Sequence, residues 1–70
     1  MNVAEVRRRL AVIRSLGDEG RGDDEAAHSA EIALYEAVLG AIAAGTCEDP
    51  IGCATAALTS RVIPFGRYCA

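Results

Sequence analysis

Val3, Val6, Leu10 and Ile13 recur at spacings of three and four. That period predicts a helix over residues 2–16 with one narrow apolar stripe, the kind that packs along another helix. Gly17 reads as its stop, and the run GDEGRG (17–22) as a loop. Asp23, Asp24 and Glu25 open a second helix, because acidic side chains accept from free N–H groups and favour the positive end of the helix dipole. Helix formers continue to Ala44, and Gly45 fits the left-handed residue that closes a helix. This helix, 24–44, would be about 30 Å long, the longest element of the chain. Asp49 before Pro50 marks a third start, an N-cap followed by a proline at the first helical position. Ile51, Ala54, Leu58 and Val62 supply its apolar face, and Pro64 forces an end. The third helix is therefore expected over 50–62. Residues 63–70 form a short ordered tail, with Phe65 and Tyr68 lying back over the helices. The expectation is an all-α, three-helix domain spanning 1–70. The long central helix runs antiparallel to the first, and the third caps the pair.

The central helix is the most informative segment. At about 100° per residue, one broad face carries Ala27, Ile32, Leu34, Val38, Leu39 and Ile42, and a second carries Ala26, Ala30, Ala33, Ala37, Ala41 and Ala44. Only the strip Glu25, Ser29, Glu36 and Gly40 is convincingly wet. A helix apolar over most of its circumference expects cover on most sides. Two short neighbours cannot supply all of it, so a second chain is expected, with Leu34, Val38, Leu39 and Ile42 at the interface. The same wheel places His28, Glu31 and Tyr35 in the middle of the large apolar face, at spacings of three and four that let their side chains touch. A buried carboxylate needs a partner. His28 is the nearest candidate, and Arg7, Arg9 or Arg67 could join the cluster.

Composition narrows the function. The chain has 51% hydrophobic and 24% charged residues, which is globular rather than disordered. With three aromatic residues (Tyr35, Phe65 and Tyr68), its core must be aliphatic. The formal net charge is −3, which gives no overall attraction to DNA or RNA. Arg7, Arg8, Arg9 and Arg14 form a local basic face, but Glu5 lies one turn from Arg8 and Arg9, so the face reads as solvated and ion-paired. The start MNVAEVRRRL lacks the apolar segment of an export signal. The apolar stretch from Ala37 to Cys47 falls short of the ~20 residues that a membrane span needs. These features predict a cytoplasmic protein without a membrane segment, in which Cys47, Cys53 and Cys69 stay as free thiols.

No catalytic residue and no cofactor are expected, because no Ser, Cys or His stands in a context that marks an activated nucleophile. The acidic stretch 18–24 lacks the ligand alternation of a calcium loop. Cysteine spacing fits no usual zinc knuckle, although a site of three cysteines with His28 is conceivable. A second metal reading uses the Glu25-x-x-His28 step with Glu31, since facing helices of di-iron bundles carry such steps.

The stretch DDEAAHSAEIALY (23–35) and the ending RVIPFGRYCA (61–70) carry a resemblance. Together they resemble short proteins of actinobacteria and their phages with the pattern D-D-E-x-A-H-S-x-E-x-x-L-Y and an ending like R-x-I-x-F-x-R-W-x-A. This chain departs in having Tyr68 in place of Trp, and in carrying Cys47 and Cys53. The resemblance implies an actinobacterial or phage setting and supplies no activity. The leading expectation is a non-enzymatic, self-associating protein-interaction module, with an unidentified host or phage protein as a further partner. A small metal-binding helical protein using His28 with Glu25 and Glu31 is the alternative. A DNA-associated accessory protein using the Arg face is the third.

Overall fold

The computed structural model describes residues 1–18 and 22–67. Tyr68, Cys69 and the middle of the 17–22 loop lie outside the described residues. The first helix, α1, spans Val3–Leu16. Its N-cap is Asn2, whose side chain accepts from the Glu5 N–H at 2.9 Å. The stripe read from the sequence faces inward, with Val6, Leu10 and Ile13 buried and Val3 half-buried. On the outer side, Arg9 pairs with Glu5 at 3.2 Å. Gly17 follows in an ordinary right-handed conformation. Its lack of a side chain matters for a different reason: a Cβ there would sit 3.0 Å from the Phe65 Cβ.

The second helix, α2, spans Asp24–Ala44, with Asp23 as N-cap accepting from the Ala26 N–H. Gly45 closes it in the left-handed region (φ 74°), as the sequence predicts. Thr46 N–H donates to Ala41 O at 2.9 Å and Gly45 N–H to Ile42 O at 3.1 Å, satisfying carbonyls that the helix end would otherwise orphan. The third helix, α3, spans Pro50–Leu58, capped by Asp49 accepting from the Gly52 N–H at 2.9 Å. It stops short of the expected residue 62. A 3₁₀ turn, Thr59–Val62, takes over, and Ile63 is extended ahead of Pro64. The last turn tightens because it cannot run on into a proline.

Antiparallel packing of α1 on α2 is visible at both ends. Asp23 N–H donates to Leu16 O at 2.9 Å. At the other end the Met1 ammonium donates to Thr46 O at 2.9 Å, and Glu48 N–H donates to Met1 O at 2.9 Å. The core is aliphatic: Val6, Leu10 and Ile13 of α1, Ala27, Leu34 and Val38 of α2, Cys53 and Ala57 of α3, and Ile63. Leu34 and Val38, expected at an interface between chains, are thus inside this chain. The buried stripe of α2 is narrow (positions 27, 31, 34 and 38), and α1 and α3 both pack on it. Leu39 stays 68% exposed and Ile42 lies at the margin with 36%. The helices form a flattened body of 38 × 24 × 14 Å. No helix among the described residues is long and apolar enough to cross a membrane.

Candidate functional site

Glu31 projects from the centre of the buried stripe of α2 and is 5% exposed. The tail meets it there. Arg67 Nε donates to Glu31 Oε1 at 2.9 Å and Arg67 Nη2 to Oε2 at 2.9 Å, a two-pronged pairing of guanidinium and carboxylate. Ser60 Oγ donates to Glu31 Oε2 at 2.7 Å. That uses the one Ser60 hydroxyl proton, so the Tyr35 hydroxyl, which is also bonded to Ser60 Oγ, donates to it. The chain of bonds runs from Tyr35 to Ser60 to Glu31, with Arg67 closing it from the tail.

Arg67 is fixed by more than charge. Its Nη2 also donates to Ser60 O at 2.8 Å, and its Nη1 donates to Ile63 O at 3.2 Å and Phe65 O at 3.4 Å. The guanidinium carbon stands 3.8 Å from the centre of the Phe65 ring, a stacked cation–π contact. The Arg67 pairing holds the Glu31 carboxyl below the ordinary value near 4.5, against the opposing effect of burial and with the help of Ser60. In return Glu31 pushes the Arg67 guanidinium up. Among the described residues no buried side-chain nitrogen or oxygen lacks a partner.

The structure thus joins two of the three residues read from the central helix and leaves the third beside them. Glu31 and Tyr35 share Ser60. His28 is half-buried one turn away and makes no hydrogen bond or ion pair with Glu31 among the described residues. Its charge acts on Glu31 only as the weakest influence. Arg67, rather than His28, is the counterion. Arg9 is spent on Glu5, and Arg7 faces α3 beside Leu10 and Ala56. The metal set Glu25, His28 and Glu31 is not assembled. Glu25 is exposed on another side of α2, and both Glu31 oxygens are taken. Among the described residues no three His, Cys, Asp or Glu side chains gather to hold a metal. Ser60 is the member the sequence reading missed. Its signal was present: Cys53, Ala57 and Ser60 continue one buried stripe at helical spacing, so a hydroxyl falls on a core position.

Beside this network lies an apolar groove of about 350 Å³ between α2 and α3, lined by Tyr35, Val38, Leu39, Ala54, Ala57 and Leu58. Leu58 is 56% exposed on its rim, and Ile51 of α3 and Val62 of the 3₁₀ turn are more than 80% exposed. Tyr35 belongs to both features, its ring lining the groove and its hydroxyl turned to Ser60. No family model, curated protein or solved structure matches this chain.

Proposed function

We propose that this chain is a non-enzymatic helical interaction module that self-associates through the α2–α3 groove. The observation that carries this reading is the unpartnered apolar flank: Leu39 and Leu58 stand out from a groove floored by Val38, Ala54 and Ala57. Exposed aliphatic side chains are ordinary singly, but a contiguous row along two helices marks a contact surface. Small residues on the floor allow another helix to approach closely, and Leu39 has the size to enter the groove of a second copy. A two-fold arrangement would use the flank twice and build a four-helix layer from two α2–α3 pairs. A standard interface takes about 800 Å² from each partner, roughly a sixth of the 4593 Å² that this chain exposes.

The polar network supports a non-enzymatic reading, because its carboxylate, hydroxyls and guanidinium satisfy one another and leave no group aimed at a substrate. The resemblance to actinobacterial and phage proteins supports a setting in such a host or its phage, with a host or phage protein as a second user of the same flank. Sedimentation equilibrium at micromolar concentration is expected to give twice the 7.3 kDa of one chain. The double variant Leu39→Glu, Leu58→Glu is expected to be monomeric with unchanged helical circular dichroism, since both side chains are exposed. A native chain that stays monomeric up to hundreds of micromolar would sink the proposal.

A further inference from the structure

Arg67 is tied to both walls of the α2–α3 groove. On the α2 wall, the Tyr35 ring lines the groove while its hydroxyl donates to Ser60 Oγ. Ser60 Oγ donates in turn to Glu31 Oε2, the oxygen that also accepts from Arg67 Nη2 at 2.9 Å. On the α3 wall, Ala57 and Leu58 line the groove at the very end of the helix, and the 3₁₀ turn that follows carries Ser60. Arg67 grips that turn directly. Its Nη2 donates to Ser60 O at 2.8 Å, and its Nη1 to Ile63 O at 3.2 Å. One guanidinium thus reaches the first wall through the Ser60 hydroxyl and the second through the backbone of the turn.

We propose that docking of the tail through Arg67 presets the α2–α3 groove for a second copy, so that tail docking and self-association strengthen each other. This inference rests on the proposed use of the groove by a second copy. The element with two states is the tail, docked or released. When it is released, the buried Glu31 carboxylate loses its cation and must draw in water or turn away from the dry stripe. Either change disturbs the hydroxyl chain that ends on Tyr35. The end of α3 loses its grip at the same time. Ala54 and Ala57 have no long side chain to readjust, so the width of the groove is set by where the end of α3 rests. A groove held at the right width spares the second copy the cost of ordering it. Linkage then runs both ways: an occupant that prefers the docked form favours docking by the same factor.

Dimer dissociation constants from sedimentation equilibrium test it, on variants first shown to be folded by circular dichroism. Arg67→Ala does not alter the residues that line the groove, yet its Kd is expected to rise about tenfold. Tyr35→Phe keeps the ring and removes only the hydroxyl link, and a smaller rise is expected. Arg9→Ala is the control. It loses the same charge from the outer side of α1, where Arg9 pairs with Glu5, and its Kd should stay at the native value. The reverse direction is read by NMR. Exchange of the Arg67 Nε–H with solvent should be faster in the monomeric Leu39→Glu, Leu58→Glu variant than in the native dimer. A native dimer whose Kd is unmoved by both Arg67→Ala and Tyr35→Phe would overturn the coupling and leave the groove reading intact. Equal exchange in monomer and dimer would do the same. A native chain that never dimerises would remove both.

Discussion

Glu31 is a carboxylate set where the rest of the helix stripe is dry, and Arg67 makes that position tolerable. Arg67→Ala would leave burial opposed only by Ser60 and by weak, longer-range charge. The Glu31 carboxyl is then expected to titrate at higher pH than in the native chain, followed by the NMR shift of its side-chain carboxyl carbon. An unchanged titration would show that the pair does not persist in solution. The sign for stability follows from the lowered native pKa. The pairing contributes fully above the ordinary carboxylate value near 4.5, and its contribution fades as pH falls through the lower value that Glu31 holds in the folded chain. Glu31→Gln should flatten that acid limb and cost about 1–2 kcal/mol. The cost stays below the ~3–5 kcal/mol of breaking a wholly buried pair because the Arg67 side chain is 30% exposed. Part of this site was legible. Spacing alone places Glu31 and Tyr35 on one face, and a buried carboxylate requires a cation. Which cation it takes depends on where the tail lies, 36 residues away. His28 was drawn in by the same spacing, but it is half-buried and bonds to neither Glu31 nor Tyr35.

At the scale of elements, chain punctuation was the readable part. Asp23, Gly45, Asp49 and Pro50 act as the sequence predicts: the first three satisfy backbone groups that a helix end exposes, and Pro50 sits where no N–H is needed. The 3₁₀ turn was not readable, because its residues keep a helical apolar pattern and only the hydrogen-bond register changes. Two glycines separate local propensity from surroundings. A Cβ at Gly40 on α2 would meet nothing within 4 Å. Gly40→Ala is therefore expected to stabilise the chain by about 0.5–1 kcal/mol. The same change at Gly52 on α3 should have the opposite sign. The new methyl would collide with the capping carboxylate of Asp49 and press to 3.0 Å against Val3 Cγ2. Losing that cap costs about 1 kcal/mol, which outweighs the gain in propensity. Urea denaturation of the two variants gives the comparison directly, and equal stabilisation by both would mean that the Asp49 cap is not formed as described.

For the molecule as a whole, the all-α class and the long central helix follow from periodicity, while the partition of apolar residues between core and surface does not. The wheel cannot tell Val38 from Ile42 or Leu34 from Leu39, since that depends on where α1 and α3 come to rest. The antiparallel α1–α2 pair is joined by a short loop, whereas the Arg67 fork spans 36 residues and must wait for the helices that create its receptor. The tail contacts are therefore expected to form late, after the transition state. Weakening them should then leave the refolding rate nearly unchanged and appear almost wholly as faster unfolding. In stopped-flow measurements Arg67→Ala is expected to raise the unfolding limb of the chevron about tenfold or more while the refolding limb overlays that of the native chain. The Arg67 side chain is thus expected to govern how long the fold persists once made, and to have little say in how quickly it is reached.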